Sequence, residues 1–452
     1  MSLILKDSDF QEGVVKCYHE NSAGYMEAVD ELQKQFNDGS LEVLSLQSYN
    51  PHSRIECPIR YEVKSYDTKR GGYQVVNECR FLSSHYIGRF SFNGYSIIVN
   101  PRFGDIFGYL IGYATNLYLP LGTSNLAYNT ENNSYWLIAL IWKAMLNKAL
   151  TTGQIPKEYV RVNKNQKNFR GRLSINKHIH ANLCDASRFY CSYKKLSMDN
   201  TINRTIRTVY SALKTKSVSS IIAEFEAYDK YLESMGVKAS ITDVKEIENI
   251  HYTRLSEPYK PVMELSRTIL SNFKAESTNG IGSKCDISYF IDVAELWEMY
   301  LLKLLQNNLP KKYRVYSPNA NFGAKLLEGD MREIRPDILI EENGRVVMVI
   351  DAKYKSYTIF GKTSEFGVQR DDLYQMSTYL YHYGKEDKTI VGIFTSPVAC
   401  PKNDIHSYSE KRNHYIGLVN LNIADANDNV AKVHEYEQEY INELIKLLST
   451  IC

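Results

Sequence analysis

Apolar and polar positions recur along this chain with two different periods, and the change of period divides it. From residue 1 to about 120 the signals are mostly those of strands. Arg60 to Lys64 alternates, as a strand with one buried face does. Phe90 to Val99 is interrupted by Asn93-Gly94, a pair that tight hairpin turns favour, and Arg70-Gly71-Gly72-Tyr73 predicts a second turn. A helical stretch over Ser22 to Phe36 precedes them. From 121 to 275 the period is mainly helical, over Tyr135 to Leu150, Thr201 to Thr215, Ser217 to Met235 and Pro261 to Asn272. Tyr135 to Leu150 carries Lys143 and Lys148 and is too short to span a bilayer. It reads as a core helix with Asn133 or Ser134 as its N-cap. Residues 273 to 286, containing Asn279-Gly280-Ile281-Gly282-Ser283, are polar and glycine-rich and predict a linker. Beyond it the pattern gives a helix (Ile287 to Leu305), two strands, a helix (Arg370 to Tyr383) and a short apolar strand (Thr389 to Thr395). The expectation is a multidomain α+β protein: a β-rich domain 1–120, a helical region 121–275 and an α/β domain 276–452.

The two strands of the last region carry the chemistry. Arg335-Pro336-Asp337-Ile338-Leu339-Ile340 is followed by a turn and by Val347-Met348-Val349-Ile350-Asp351-Ala352-Lys353-Tyr354-Lys355. A proline cannot donate in a central ladder, so Pro336 belongs at the strand's start. Val346 to Asp351 is apolar on both faces, as a buried strand is. Glu342-Asn343-Gly344 supplies the turn. Side chains alternate along a strand, so Asp351 and Lys353 share a face while Ala352 points away. A lone Asp-x-Lys is usually a surface charge pair. A Pro-Asp on a separate buried strand, one turn away, changes that reading. The layout resembles that of PD-(D/E)xK metal-dependent nucleases. Phosphodiester hydrolysis needs a cation that offsets anionic charge and lowers the pKa of a water. Mg²⁺ takes hard oxygen ligands and needs only one or two carboxylates.

Two flanking helices extend the constellation. Glu298, in Leu296-Trp297-Glu298-Met299-Tyr300, sits among large apolar residues, where a buried carboxylate needs a partner. Gln375 and Tyr379 lie one turn apart on one helix face. Surface roles are the commoner case for a single glutamate or glutamine. Elsewhere, Arg161, Lys164, Lys167, Arg170, Arg172 and Lys177 form a basic cluster whose interleaved Asn163, Asn165, Gln166 and Asn168 predict a loop. It reads as a solvated loop, or as a contact for DNA phosphates. Gly361-Lys362-Thr363 has the ending of a P-loop, but Ser356 stands where the first glycine belongs. No nucleotide is therefore expected on this chain itself.

Composition narrows the class without naming it. The chain has 452 residues, 44% hydrophobic and 23% charged, which is globular and ample for two to four domains. A net charge of +2 gives no global field that would draw it to DNA, so phosphate contacts must be local. Its 35 tyrosines read as compositional bias. Eight scattered cysteines form no Cys-x-x-Cys pair, which argues against a zinc or iron–sulfur site. With no signal-peptide pattern, the expectation is a cytoplasmic protein with reduced thiols and no membrane contact.

The likeness extends past the active-site strands. Leu296-Trp297-Glu298, Asp372 through Tyr379 (with Tyr374-Gln375-Met376), His85-Tyr86-Ile87-Gly88-Arg89 and Ile97-Ile98-Val99-Asn100-Pro101-Arg102-Phe103-Gly104 resemble segments of the McrC family. So do Asp199-Asn200, Asn203-Arg204 and the run Pro261 to Leu270. In the fourth of the first set, Arg102 stands where the family usually has lysine. The likeness spans roughly residues 80 to 400; the first 75 or so match nothing placed. It implies an endonuclease subunit of an NTP-dependent, usually GTP-dependent, restriction system, with a C-terminal restriction-endonuclease-like domain. Such subunits pair with an McrB-like AAA+ GTPase or other NTPase ring, stimulate it through their N-terminal part, and cut double-stranded DNA, modified or not. Carried onto this chain, Asp337 and Asp351 resemble metal ligands for Mg²⁺ (or Mn²⁺), Lys353 the catalytic lysine, and Glu298 and Gln375 accessory positions, with Glu298 reaching the metal or its water. A RecB-like DNA exonuclease and a non-catalytic activator of an AAA+ ring are the alternatives.

Overall fold

A computed structural model of the chain describes residues 2–7, 15–17, 22–41, 43–44, 56–67, 75–104, 106–115, 135–216, 218–219, 221–240, 245–278, 288–318, 324–325, 333–354, 368–384, 388–398, 404–407, 413–426 and 429–450. The chain forms two compact units: Met1–Glu131 together with Asp286–Cys452, and Asn132–Cys285. The architecture is mixed α/β, as expected. The division differs from the three consecutive regions read from the sequence, because the N- and C-terminal parts join in one unit.

The physical cause of that joining is strand pairing. One sheet contains β1 (Ser2–Lys6), β2 (Val43–Leu44), β3 (Tyr86–Phe92), β4 (Tyr95–Asn100) and β5 (Tyr289–Asp292), in the order β1-β4-β3-β5-β2. Strand β5 follows the second unit in sequence and fills the gap between β3 and β2, with Phe290 opposite Gly88 and Val43. All four β5 residues are buried. The sequence pattern extends a helix through these positions. Pairing on both edges overrides that local preference, so the helix starts later. The β3–β4 hairpin turns at Asn93-Gly94, both with positive φ, as expected. Helix α1 (Ser22–Asp38) packs Tyr25, Val29 and Leu32 into the core against this sheet. In a second, three-stranded sheet Val75–Ser83 pairs antiparallel with both Ile59–Asp67 and Val15–Cys17. The turn expected at Arg70 to Tyr73, between Asp67 and Val75, lies outside the described residues, as do the expected cap at Asn133 or Ser134 and the segment Gly361 to Thr363.

After β4 comes α2 (Ile106–Thr115), and after β5 comes α3 (Val293–Asn308). Asp292 caps α3, its side chain accepting from the amides of Ala294 (2.9 Å) and Glu295 (3.2 Å). Then follow β6 (Tyr313–Tyr316), β7 (Ile338–Glu342), β8 (Arg345–Ala352), α4 (Arg370–Tyr383), β9 (Ile390–Thr395), β10 (Asp404–Ser407), β11 (His414–Leu418) and α5 (Val430–Thr450). The six strands are ordered β6-β7-β8-β9-β11-β10. β7 and β8 form an antiparallel hairpin, turning at Asn343-Gly344 with φ of 52° and 77°. β8, β9 and β11 run parallel. Their carboxyl ends therefore lie along one edge, where ligands of open α/β sheets bind. α4 closes a core over Leu339, Val349 and Phe394 with Met376, Tyr379 and Leu380.

The second unit holds the helices Tyr135–Thr152, Thr201–Lys214 and Lys260–Thr278. Trp142 is fully buried and donates its indole N–H to Ser266 at 2.9 Å. Lys143 is buried in a largely apolar helix and is paired with Glu224 at 3.0 Å. Within the expected Ser217 to Met235 helix, the described residues include a short 3-10 turn (Ala223–Phe225) and a helix (Glu226–Ser234). The expected linker is helical as far as Thr278. The unit is also less helical than expected. The basic cluster, read as a loop, begins on the strand Glu158–Gln166, which pairs antiparallel with Phe189–Ser197 along its whole length. Arg172 lies on the short strand Arg172–Leu173 and Lys177 on the helix Ile175–Asn182. Asparagines and a glutamine speak locally for a loop, but nine consecutive pairings settle the strand.

Candidate active site

The sheet edge at the end of β8 gathers most of the residues singled out by sequence. Asp351, on β8, is 2% exposed. Asp337 stands just before β7, and its Oδ2 accepts the Ala352 amide at 2.7 Å. That bond ties the two acid-bearing strands together at their ends. Lys353 follows β8; its amide donates to the Thr395 carbonyl at 2.9 Å, continuing the pairing with β9. Its ammonium lies 2.8 Å from Asp351 Oδ2 and 3.2 Å from Asp372 Oδ1, and donates to Gln375 Oε1 at 3.1 Å.

Helix α4 supplies this second layer. Asp372, Gln375 and Tyr379 are spaced three and four residues apart and so share one face. Gln375 donates to the Tyr379 hydroxyl at 2.7 Å, and Tyr379 donates to the Arg335 carbonyl at 3.0 Å. The chain of bonds runs from Lys353 back to the residue before Pro336, closing a ring around the acids. Asp372 is buried and belongs to this cluster, yet it was not among the expected site residues. Its position one turn before Gln375 was the available signal.

Burial and carboxylates held close together set the electrostatics here. Burial, followed by the charge of Asp351, pushes the Asp337 carboxyl well above the usual range. Burial, then Asp337, does the same to Glu298 on α3. Burial works to lower the Lys353 pKa, but Asp351, Asp372 and Asp337 outweigh it and the net shift is upward. Lys353 is therefore held as an ammonium. Asp351 Oδ2 is buried and receives no well-aligned hydrogen bond; the Lys353 ammonium lies against it as an ion pair.

This donor set suits a hard divalent cation: buried carboxylate oxygens whose mutual repulsion a positive ion would relieve. Asp337 and Asp351 are the pair that could hold it. Among the described residues, however, no group of three or more Asp, Glu, His or Cys is arranged to hold a metal. Glu298 feels the charge of Asp337 and of the other acids nearby. Trp297 beside it is fully buried and donates its indole N–H to the Thr395 carbonyl at 3.3 Å, fixing α3 against the same sheet edge.

The chain matches a family model described as McrBC 5-methylcytosine restriction system component over residues 83–394. The match covers more than half of the sequence. This chain belongs to the McrBC family. The expected McrC kinship is thereby borne out. Among solved structures, the fold matches a chain of the refined half-complex from the tetradecameric assembly of Thermococcus gammatolerans McrB AAA+ hexamers with bound McrC. That match has a TM-score of 0.53 and 17% identity, and covers 98% of this chain and 100% of the other. A chain of the cryo-EM structure of the Thermococcus gammatolerans McrBC complex is also similar, with a TM-score of 0.36 and 18% identity over 69% of this chain and 89% of that one. No curated protein matches the chain. No described helix of this McrBC family member is long and apolar enough to cross a membrane.

Proposed function

We propose that this chain is the nuclease subunit of an NTP-driven restriction system of the GTP-using class, and that it hydrolyses DNA phosphodiester bonds with Mg²⁺ through a PD-(D/E)xK site. The observation that carries the reading is the set Asp337, Asp351 and Lys353, brought to one sheet edge from two strands and backed by α4. Asp337 and Asp351 would hold the cation, which when bound supplies positive charge against the anionic phosphodiester. Lys353, kept protonated by its carboxylate neighbours, donates a hydrogen bond to a water or phosphoryl oxygen and stabilises charge there. It does not take the water's proton in that state. Gln375 holds the ammonium in place, and Tyr379 holds Gln375. Glu298 keeps an accessory place, close enough to respond to the charge of the acid pair.

The same reading gives the chain an McrB-like AAA+ NTPase ring as partner and double-stranded DNA as substrate. Support for a partner surface comes from the second unit. Phe169 (58% exposed), Ile175 (63%), Ile179 (52%) and Leu183 (81%) stand in solvent. Ile175, Ile179 and Leu183 are spaced by four residues and share a helix face. Arg161, Lys164, Lys167 and Arg172 are exposed on the same substructure. Large apolar groups mixed with cations mark a surface that another molecule covers.

The test is cleavage of covalently closed circular DNA with Mg²⁺ by wild type and Lys353→Ala, each with and without an McrB-type partner and GTP or ATP. Cutting by wild type only with partner and nucleotide, and lost in Lys353→Ala, is expected. Cutting of linear but not circular DNA would replace the proposal with a RecB-like exonuclease. Partner NTPase stimulation without any cutting would replace it with a non-catalytic activator.

A further inference from the structure

The residue after Lys353 is held by the opposite end of the sequence. Tyr354 is buried, and its hydroxyl donates to Asp7 Oδ2 at 2.8 Å. Its backbone carbonyl accepts from Arg102 Nη2 at 3.0 Å. The Arg102 guanidinium lies over the Tyr354 ring, 4.0 Å from its centre, and Phe103 meets that ring edge-on at 5.9 Å. Arg102 Nε stands 3.8 Å from Asp7 Oδ2, and the Arg102 amide donates to Asp7 Oδ1. Hydroxyl, ring and main chain of Tyr354 are thus each fixed by a residue that follows β1 or β4. Asp7 is 1% exposed and itself donates its amide to the Asn100 carbonyl at the end of β4.

Such an arrangement is costly unless complete, because a buried acid with one partner removed keeps its desolvation penalty. Nothing in the core of the β6–β11 sheet requires it, since Val347 to Ile350 are already buried by apolar neighbours. What it does fix is the exit of the chain from β8, one residue beyond the ammonium. The same N-terminal sheet also holds the start of α3 through β5. Arginine suits this place better than lysine: one planar group stacks on a ring and also reaches a carbonyl, which a single ammonium does not do.

We propose that Asp7, Arg102 and Tyr354 are positioning residues that make the placement of Lys353 depend on the N-terminal sheet. The inference rests on the nuclease reading of the same site. With the triad intact, the lysine is held against Asp351 and Asp372. With it broken, the segment after Ala352 loosens and the ammonium leaves its place, while DNA contacts elsewhere are unchanged.

The experiment compares wild type, Arg102→Met, Arg102→Lys, Tyr354→Phe and Lys353→Ala as full chains with an McrB-type partner. It reads kcat and KM for circular DNA, and amide hydrogen exchange of the chain alone. Arg102→Met is expected to lower kcat about 30-fold with KM within about twofold, Arg102→Lys to restore little, and Tyr354→Phe to lower kcat about fivefold. The Lys353 amide exchanges faster in Arg102→Met while Val349 and Ile350 keep their protection. Wild-type kcat in Arg102→Met, a loss confined to KM, or unchanged exchange at Lys353 would overturn the positioning role. Cutting retained in Lys353→Ala would overturn the nuclease reading itself. If Arg102→Met fails to fold, Tyr354→Phe, which deletes one hydroxyl, decides the matter alone: unchanged kcat there sinks the proposal.

Discussion

At the edge of the six-stranded sheet, Asp351 and Asp372 are buried, and the Lys353 ammonium lies 2.8 Å from one and 3.2 Å from the other. On the substructure of residues 158–197, Arg161, Lys164, Lys167 and Arg172 stand in solvent, and Phe169, Ile179 and Leu183 are exposed beside them. The first region holds its charges against one another, several acids around one ammonium. Taking such groups out of water costs several kcal/mol per ion, so they persist there only as a connected set. The second region leaves many of its cations and large apolar side chains facing solvent. The difference teaches what each can do alone. A buried, mutually held set is prepared for chemistry on a small group. An exposed mixed surface does nothing until something binds it.

Ways to break this comparison differ in size. The largest effect is expected from Asp351→Ala, which should lower cleavage at least about 10³-fold. Circular dichroism should remain native and partner NTPase stimulation should persist; measurable cleavage would mean the acids are only structural. Next comes Gly88→Ala. Gly88 has φ of +152°, and a Cβ there would collide with the Tyr289 carbonyl, which cannot yield because β5 is paired on both sides. A loss of about 3 kcal/mol is expected in denaturant unfolding, against under about 0.5 kcal/mol for the exposed Lys164→Ala.

A smaller effect sharpens the second region. Ile179→Asp combined with Leu183→Asp should reduce stimulation of the partner NTPase about tenfold. The unfolding midpoint should hold, because both side chains are exposed; full stimulation would deny that the surface docks anything. The smallest effect is in pH. Folding raises the pKa of Asp337 and Glu298, so the folded protein keeps protons there that the unfolded chain has lost. Their contribution to stability therefore falls as pH rises from the ordinary carboxylate range until the raised values are passed. Mg²⁺ competes with those protons and should raise the melting temperature more at about pH 8 than at about pH 5. A Mg²⁺ effect independent of pH would separate the cation from these two acids.

Much of the first region was legible in the sequence. Helix α4 begins and ends where the pattern places it, at Arg370 and Tyr383, and the turn at Asn343-Gly344 has the positive φ its residues favour. Asp351 and Lys353 could be read together because period-two alternation fixes which side chains share a face. The second region was misread where polar residues interrupt a strand. Asn163, Asn165 and Gln166 weaken the local signal, and only pairing with Phe189–Ser197 restores it. Helix α3 was drawn too long for the converse reason, since Tyr289 to Asp292 suits a helix locally and a strand only when β3 and β2 flank it.

By itself, then, the sequence determined the local elements, the acid pair, the lysine two residues on and the kinship that Trp297, Gln375 and their neighbours carry. Tertiary structure decided that Asp372 joins Lys353, that Glu298 feels the charge of Asp337, and that Asp7 and Arg102 grip Tyr354. The physical reason is range. Turns, caps and strand alternation are set by neighbours a few residues apart, whereas Asp7 and Tyr354 are separated by 347 positions and meet only after two sheets have formed.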